Sequence, residues 1–94
     1  MGQPSCRTSG NISASALIFS GRTRLVSLHC ANAHASNAST ITLYDNTAGS
    51  GTIVATMVVP AADCREFDMH GVICSTGLYA TISGGTASVT VEFA

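Results

Sequence analysis

The sequence predicts an all-β fold, namely an antiparallel β-sandwich or jelly-roll-like single domain of about six to eight short strands. Apolar and polar residues alternate along most of the chain, which is typical of strands with one buried face. β-Branched residues are abundant, and Gly- or Asn-rich turns recur about every 8–12 residues. Apolar residues do not recur at helical spacing. A chain of 94 residues can support one hydrophobic core.

The chain divides into two predicted parts. Residues 1–14 are rich in Ser and Gly and are predicted to form a polar N-terminal arm, either mobile or ordered only by a neighbour. Residues 15–94 are predicted to form the β-sandwich domain. Within that domain, the alternation predicts strands at residues 16–19, 22–31, 40–45, 52–59, 65–69, 78–82 and 87–93.

The same alternation predicts which side chains face the core. In residues 22–31 it places Val26 inward and Leu25 outward, and in residues 52–59 it places Ile53 inward and Val54 outward. Leu25 and Val54 would therefore be apolar side chains on the solvent-facing sides of their strands. The other predicted inward residues are Leu28, Cys30, Ile41, Leu43, Ala55, Met57, Val59, Phe67, Met69, Leu78, Ala80, Ile82, Ala87, Val89, Val91 and Phe93.

Turn residues separate these strands. The segment DNTAGSG at residues 45–51 predicts a hairpin loop, and Gly84 with Gly85 predicts a tight two-residue turn. Pro60 is expected to end the strand before it, because proline cannot donate a backbone hydrogen bond to a neighbouring strand.

The low charge of the chain restricts its partners. Only 10% of the residues are charged, the net charge is −1, and Lys is absent. Phosphate binding needs clustered cations, so nucleic acid is not an expected partner. So little surface charge favours association, which indicates a homo-oligomer or a subunit of a larger assembly. Polar residues interrupt every uncharged stretch, so no membrane segment is predicted.

The four cysteines, Cys6, Cys30, Cys64 and Cys74, are irregularly spaced. The first twelve residues have no apolar region of a signal peptide, which favours a reducing compartment. The thiols are therefore expected to be free, with two disulfides as the alternative.

One strand carries a row of possible metal ligands. Cys64, Glu66, Asp68 and His70 alternate between residues 64 and 70 and would share the outward face. Side chains two residues apart on a strand are nearly 7 Å apart, so the four cannot converge on one ion. The favoured interpretation is a polar row that is solvated or faces an interface.

The remaining polar residues also favour structural roles. His29, His34 and His70 are not accompanied by the spacing of a hydrolase triad. Asn11 and Asn37 each begin a glycosylation triplet, but both are interpreted as loop residues. The sequence therefore predicts no catalytic, cofactor-binding or metal-binding residues, no cofactor and no enzymatic activity.

Six short motifs follow one another between residues 20 and 93. They are S-G-R-T-R-L (20–25), T-L-Y-D-N-T (42–47), G-S-G-T (49–52), V-V-P-A-A (58–62), G-V-I-C-S-T-G-L-Y (71–79) and A-S-V-T-V-E-F (87–93). In this order they resemble the small β-sandwich virion structural proteins of tailed bacteriophages, over about three quarters of the chain. The motifs consist of turn and core residues, so the resemblance assigns no functional residue to this sequence.

The resemblance implies a virion structural protein that is assembled in the host cytoplasm. Its expected role is a capsid decoration, or cement, subunit that binds the outer shell, stabilises contacts between major capsid proteins and forms a homo-oligomer, with a trimer favoured. A head-completion, neck or tail protein is the nearest alternative. An alternative of another class is a small carbohydrate-binding adhesion module, in which Tyr44 and Tyr79 could stack on a sugar.

Overall fold

The computed structural model describes residues 7–94, apart from the side chain of His70, and in this range it contains strands and no helix. Accordingly, no helix in the described range could cross a membrane. The described residues form eight strands, namely β1 (Arg7–Thr8), β2 (Ala16–Ser20), β3 (Thr23–Asn32), β4 (Ser39–Asp45), β5 (Thr52–Val59), β6 (Asp63–Cys74), β7 (Gly77–Ser83) and β8 (Ala87–Phe93).

The strands form two four-stranded antiparallel sheets. The first has the order β1-β8-β3-β6 and the second the order β2-β7-β4-β5. The strand pairs are nested, because β1 pairs with β8, β2 with β7, β3 with β6 and β4 with β5. This nesting in two packed sheets is the arrangement of a jelly roll. The predicted all-β sandwich is confirmed.

The hydrophobic core lies between the two sheets. Strands β3, β4, β5, β7 and β8 contribute most of it with alternate side chains, as expected for strands with one buried face. The buried hydrophobic residues are Leu25, Leu28, Cys30, Ile41, Leu43, Ala55, Met57, Val59, Cys74, Leu78, Ala80, Ala87, Val89, Val91 and Phe93.

Two irregularities in strand pairing overturn the predicted orientation of four side chains. The pairing of β3 shifts between Leu25 and Ser27, so Leu25 is fully buried rather than outward, and Val26 is only half-buried. The pairing of β4 with β5 shifts in the same way, so Ile53 is 55% exposed and Val54 packs against the core. An extra residue in one strand reverses the face of every side chain on one side of it.

Phe67 is a second correction to the predicted core. It was expected inward on β6, yet its side chain is 40% exposed. Among the described residues β6 is an edge strand with β3 as its one neighbour, and the edge position leaves Phe67 incompletely covered. Met69, on the same strand, is half-buried against the core.

The predicted N-terminal arm contains structure in its described part. Residues 1–6 lie outside the described residues. Arg7 and Thr8 form β1 along β8, and Ile12 exchanges backbone hydrogen bonds of 2.8 Å with Val89. Residues 7–12 are therefore ordered by the sandwich itself, and not only by a neighbour, because β8 offers them an open edge.

A buried amide joins the connections at one end of the sandwich. Asn32, at the end of β3, is 2% exposed. Its Nδ2 donates to the carbonyls of Asn37 (2.8 Å) and Val59 (3.2 Å), and its Oδ1 accepts from the backbone N–H groups of His34 and Thr86 (both 3.0 Å). One side chain therefore links the β3–β4 loop, the end of β5 and the β7–β8 turn.

We expect Asn32→Ala to destabilise the fold by about 2–4 kcal/mol, because it removes the hydrogen bonds of a buried amide to three separate connections. The free energy of unfolding is measured by urea denaturation. The exposed Asn37→Ala removes the same side chain from the adjacent loop and should cost less than about 0.5 kcal/mol. Equal losses in the two variants would contradict the role assigned to Asn32.

Candidate functional site

Charge is divided unequally between the two sheets. Of the nine charged residues, only Asp45 lies in the sheet formed by β2, β7, β4 and β5, and it ends a strand there. The others lie in β1, β3, β6 and β8 or, for Arg22, in the turn between β2 and β3. We call the sheet β1-β8-β3-β6 the charged sheet and the sheet β2-β7-β4-β5 the neutral sheet. Each presents one outer face, and these two faces are the candidate sites.

The outer face of the charged sheet is a grid of polar side chains on β6, β3 and β8. The register of these three strands places carboxylates and an imidazole side by side. The three rows of the grid are Asp68–Ser27–Glu92, Glu66–His29–Thr90 and Cys64–Ala31–Ser88.

His29 is the centre of this grid. Its Nδ1 lies 3.5 Å from Glu66 Oε2 and its Nε2 lies 3.8 Å from Glu92 Oε1. Ser27 Oγ is 3.3 Å from His29 Nε2, so a serine, a histidine and a carboxylate are in reach of one another. The Ser27 hydroxyl, however, donates a hydrogen bond to Glu92 Oε1. The Ser27 hydroxyl hydrogen is therefore directed to Glu92 and not to His29, and the cluster brings together side chains from three strands.

A shallow open groove of about 500 Å³ lies beside His29 on the same face. Its lining includes Ala31, His29, Glu66, Cys64 and Ser88. Among the described residues, no group of three or more His, Cys, Asp or Glu side chains is placed to hold a metal ion.

The other predicted candidates do not meet at one site. His34 lies in the β3–β4 loop, where its Nδ1 accepts the backbone N–H groups of Ser36 (3.1 Å) and Asn37 (2.9 Å). This histidine orders its own loop. Asn11 and Asn37 are exposed in separate segments. The side chain of His70 lies outside the described part of the structure.

The outer face of the neutral sheet combines threonines with apolar and aromatic residues. Leu17 and Ile53 are 46% and 55% exposed at its two sides, and Val58 on β5 is 59% exposed. The three rows across this face are Leu17–Tyr79–Tyr44–Ile53, Thr81–Thr42–Thr56 and Ser83–Thr40–Val58.

Tyr44 and Tyr79 are cross-strand neighbours on this face, as a sugar-stacking platform would require. The β4–β5 loop, however, covers part of Tyr79. A methyl group placed at Gly49 would lie 3.3 Å from Tyr79 Cε1 and 2.9 Å from Thr81 Cγ2, so this loop packs directly on the sheet. The two rings therefore do not form an open platform, which argues against the carbohydrate-binding alternative.

Asp45 holds two of the sequence motifs together. Its carboxylate accepts the backbone N–H groups of Ser75 (3.0 Å), Thr76 (2.8 Å) and Gly77 (3.4 Å) in the turn between β6 and β7. The bonds from Thr76 and Ser75 lower the pKa of Asp45 from its ordinary value of 3.8, because they favour the ionised carboxylate. The T-L-Y-D and S-T-G segments thus meet in a structural contact.

The three described cysteines, Cys30, Cys64 and Cys74, are free thiols. Cys30 and Cys74 are buried, and burial raises the pKa of both thiols because it disfavours the thiolate. Cys64 is exposed on the grid. Cys6 lies outside the described residues.

Sequence reasoning found part of the grid and missed part. The predicted row of Cys64, Glu66 and Asp68 does share one outward face. Ser27 and Glu92 were not connected with His29, because alternation within a strand does not reveal which strands pair. The antiparallel register of β3 with β8 is what brings Glu92 next to Ser27.

Comparisons with known proteins show no family for the chain. No protein-family model matches it, and no curated protein matches it. Among solved structures it is similar to a chain of the Bacillus endospore appendages, described as a novel family of disulfide-linked pili, with 16% identity and a TM-score of 0.49 over 94% of this chain and 81% of that chain.

A second similar structure is that of the infectious bursal disease virus Gt strain. The identity is 12% and the TM-score is 0.35, and the match covers 98% of this chain but only 26% of the viral chain. Because both TM-scores are below 0.5, neither similarity supports an argument about function. The resemblance to bacteriophage proteins stays a prediction from the sequence.

We expect Asp45 to make the melting temperature sensitive to acid. Its folded-state pKa is lowered, so its stabilisation is present above 3.8 and is lost as the pH falls through that value towards the folded-state pKa. Asp45→Asn should lower the melting temperature near about pH 7 and flatten its fall towards about pH 3. Asp63→Asn, which alters another partly exposed carboxylate, serves as the control. An unchanged acid dependence in Asp45→Asn would contradict this assignment.

The three described thiols should differ in their rates of alkylation in the folded protein. We expect iodoacetamide to modify Cys64 at least about tenfold faster than Cys30 or Cys74, because the reagent needs an accessible thiolate. The rates are measured by mass spectrometry of the digested protein, with the unfolded protein as the control for intrinsic reactivity. Equal rates in the folded protein would show that Cys30 and Cys74 are not buried in solution.

Proposed function

We propose that this chain is a non-enzymatic structural subunit of a multi-subunit assembly and, more specifically, a capsid decoration subunit that binds the outer shell of a virion. The observation that carries the proposal is the outer face of the neutral sheet, which has no charged side chain within its rows and exposes Leu17, Ile53 and Val58. We assign this face to the contact with the shell.

The shape of the molecule supports docking through a sheet face. Its principal extents are 41 × 33 × 17 Å, so the two outer faces are its broadest surfaces. A stable contact of standard size buries about 800 Å² per partner, which is within the dimensions of such a face. Threonine hydroxyls and apolar groups can be covered without leaving an unpaired charge. The charged face, on the opposite side, would remain in water and keep the subunit soluble.

A head-completion, neck or tail protein could use the same face, so the position of the subunit separates these roles. Cryo-electron microscopy of purified particles is the direct measurement. Density for this chain on the outer surface of the shell, with the neutral sheet facing inward, is expected. Density at the neck or tail would replace the decoration role by the alternative, and particles without the chain would refute both.

We expect retention on the particle to change little between low salt and about 1 M NaCl, because the proposed contact contains little screened Coulomb attraction. Thr42→Arg, at the centre of the neutral face, should weaken binding at least about tenfold, since it buries an unpaired charge. Thr90→Arg introduces the same charge at a half-buried threonine on the opposite face and should leave binding unchanged. Co-sedimentation with particles measures both. Release by salt, or equal loss in the two variants, would contradict the proposed face.

A further inference from the structure

The two sheets have four edge strands in the described range, and three of them carry features that oppose pairing with another chain. β1 has only two residues. β2 has five residues and an irregular register between Leu17 and Phe19. β6 is long but carries Asp63, Arg65, Glu66 and Asp68. Short length, irregularity and charge are the usual protections of an edge.

β5 is neither short nor charged, and its register is irregular only near its start. It is the outer strand of the neutral sheet, it is eight residues long, and its sequence TIVATMVV contains no charge and no proline. The register shift near its start leaves Ala55 to Val59 in regular pairing with β4. Unpaired backbone groups along such a strand form a template for one more antiparallel strand.

Exposed apolar side chains lie on the same side of the molecule. β5 and β6 contact each other across the sandwich, so the two edges lie together. This side exposes Ile53 and Val58 of β5 and Phe67 of β6, each by 40% or more. A strand added to β5 would cover part of the exposed surface of these three side chains.

We propose that the β5 edge binds the β5 edge of a second copy of this chain, in antiparallel orientation, and joins the two neutral sheets into one eight-stranded sheet. A two-fold axis places each residue of β5 next to residues of the same strand in the second copy. A charged strand would then face like charges, whereas β5 carries none. Its outward Thr56 and Val58 and its inward Ala55 and Met57 can pair with one another across the axis.

This contact is separate from the proposed docking on a shell. It uses the edge of the neutral sheet and covers side chains only along that edge, so the rest of the outer face stays free and the joined face is about twice as wide. The expected state is a dimer. The trimer favoured from the bacteriophage resemblance would need a different contact, because antiparallel self-pairing of one strand closes after two copies.

Sedimentation equilibrium of the purified chain tests the pairing. Val58→Lys should weaken dimerisation at least about tenfold, because it places a lysine at the paired edge. Leu17→Lys makes the same change at an exposed apolar residue on the opposite edge of the same sheet, and it should leave the dimer unchanged. Unchanged melting temperatures confirm that both variants fold.

Hydrogen exchange supplies a second measurement on the unmodified chain. The backbone amides of β5 should exchange more slowly at dimeric than at monomeric concentrations, with little change in β2. A monomer at all concentrations, a trimer, or a dimer that is weakened equally by Leu17→Lys would overturn the proposal. Each of these outcomes leaves the particle-binding experiment to decide the shell contact on its own.

Discussion

The sandwich depends on one buried amide at the end where its strands turn. A jelly roll crosses repeatedly between two sheets, so the connections at its ends must be held in place. Asn32 does this by donating to carbonyls in the β3–β4 loop and at the end of β5, and by accepting from the β7–β8 turn. The turn also depends on Gly85. Its φ is +62°, which favours glycine, and a Cβ atom at this position would clash with the side chains of Asn32 and Ser39. The amide itself is 2% exposed, so its four hydrogen bonds are made almost entirely out of contact with water.

Strand irregularities decide which apolar residues become surface. The shift in β3 moves Leu25 into the core, and the shift between β4 and β5 moves Ile53 out of it. The exposed side of the neutral sheet thus gains an apolar residue that simple alternation assigns to the interior. The edge position of β6 has a similar result, since it leaves Phe67 incompletely covered. The apolar surface used in both proposals therefore follows from how the strands pair.

The separation of charge gives the two outer faces different chemistry. On one face, His29 lies between Glu66 and Glu92, which link β3 to both of its neighbours. On the other face, the rows consist of hydroxyl-bearing and apolar side chains and contain no charge. A molecule built this way can keep one face in water while the other makes contacts that leave no charge unpaired. The few charged residues of the chain belong almost entirely to the charged sheet.

The sequence by itself determined the fold class, most strand positions and most of the core, since period-two alternation is a local signal of one buried face. It also placed Cys64, Glu66 and Asp68 on a common outward face. Only the tertiary structure decided the register shifts at Leu25 and Ile53, because a single extra residue in a strand is invisible to alternation. It alone decided strand partners as well, and hence the contacts of His29 with Glu92 and the open edge at β5. Those features join residues far apart in the chain, and their physical origin is backbone pairing between strands rather than the pattern within any one strand.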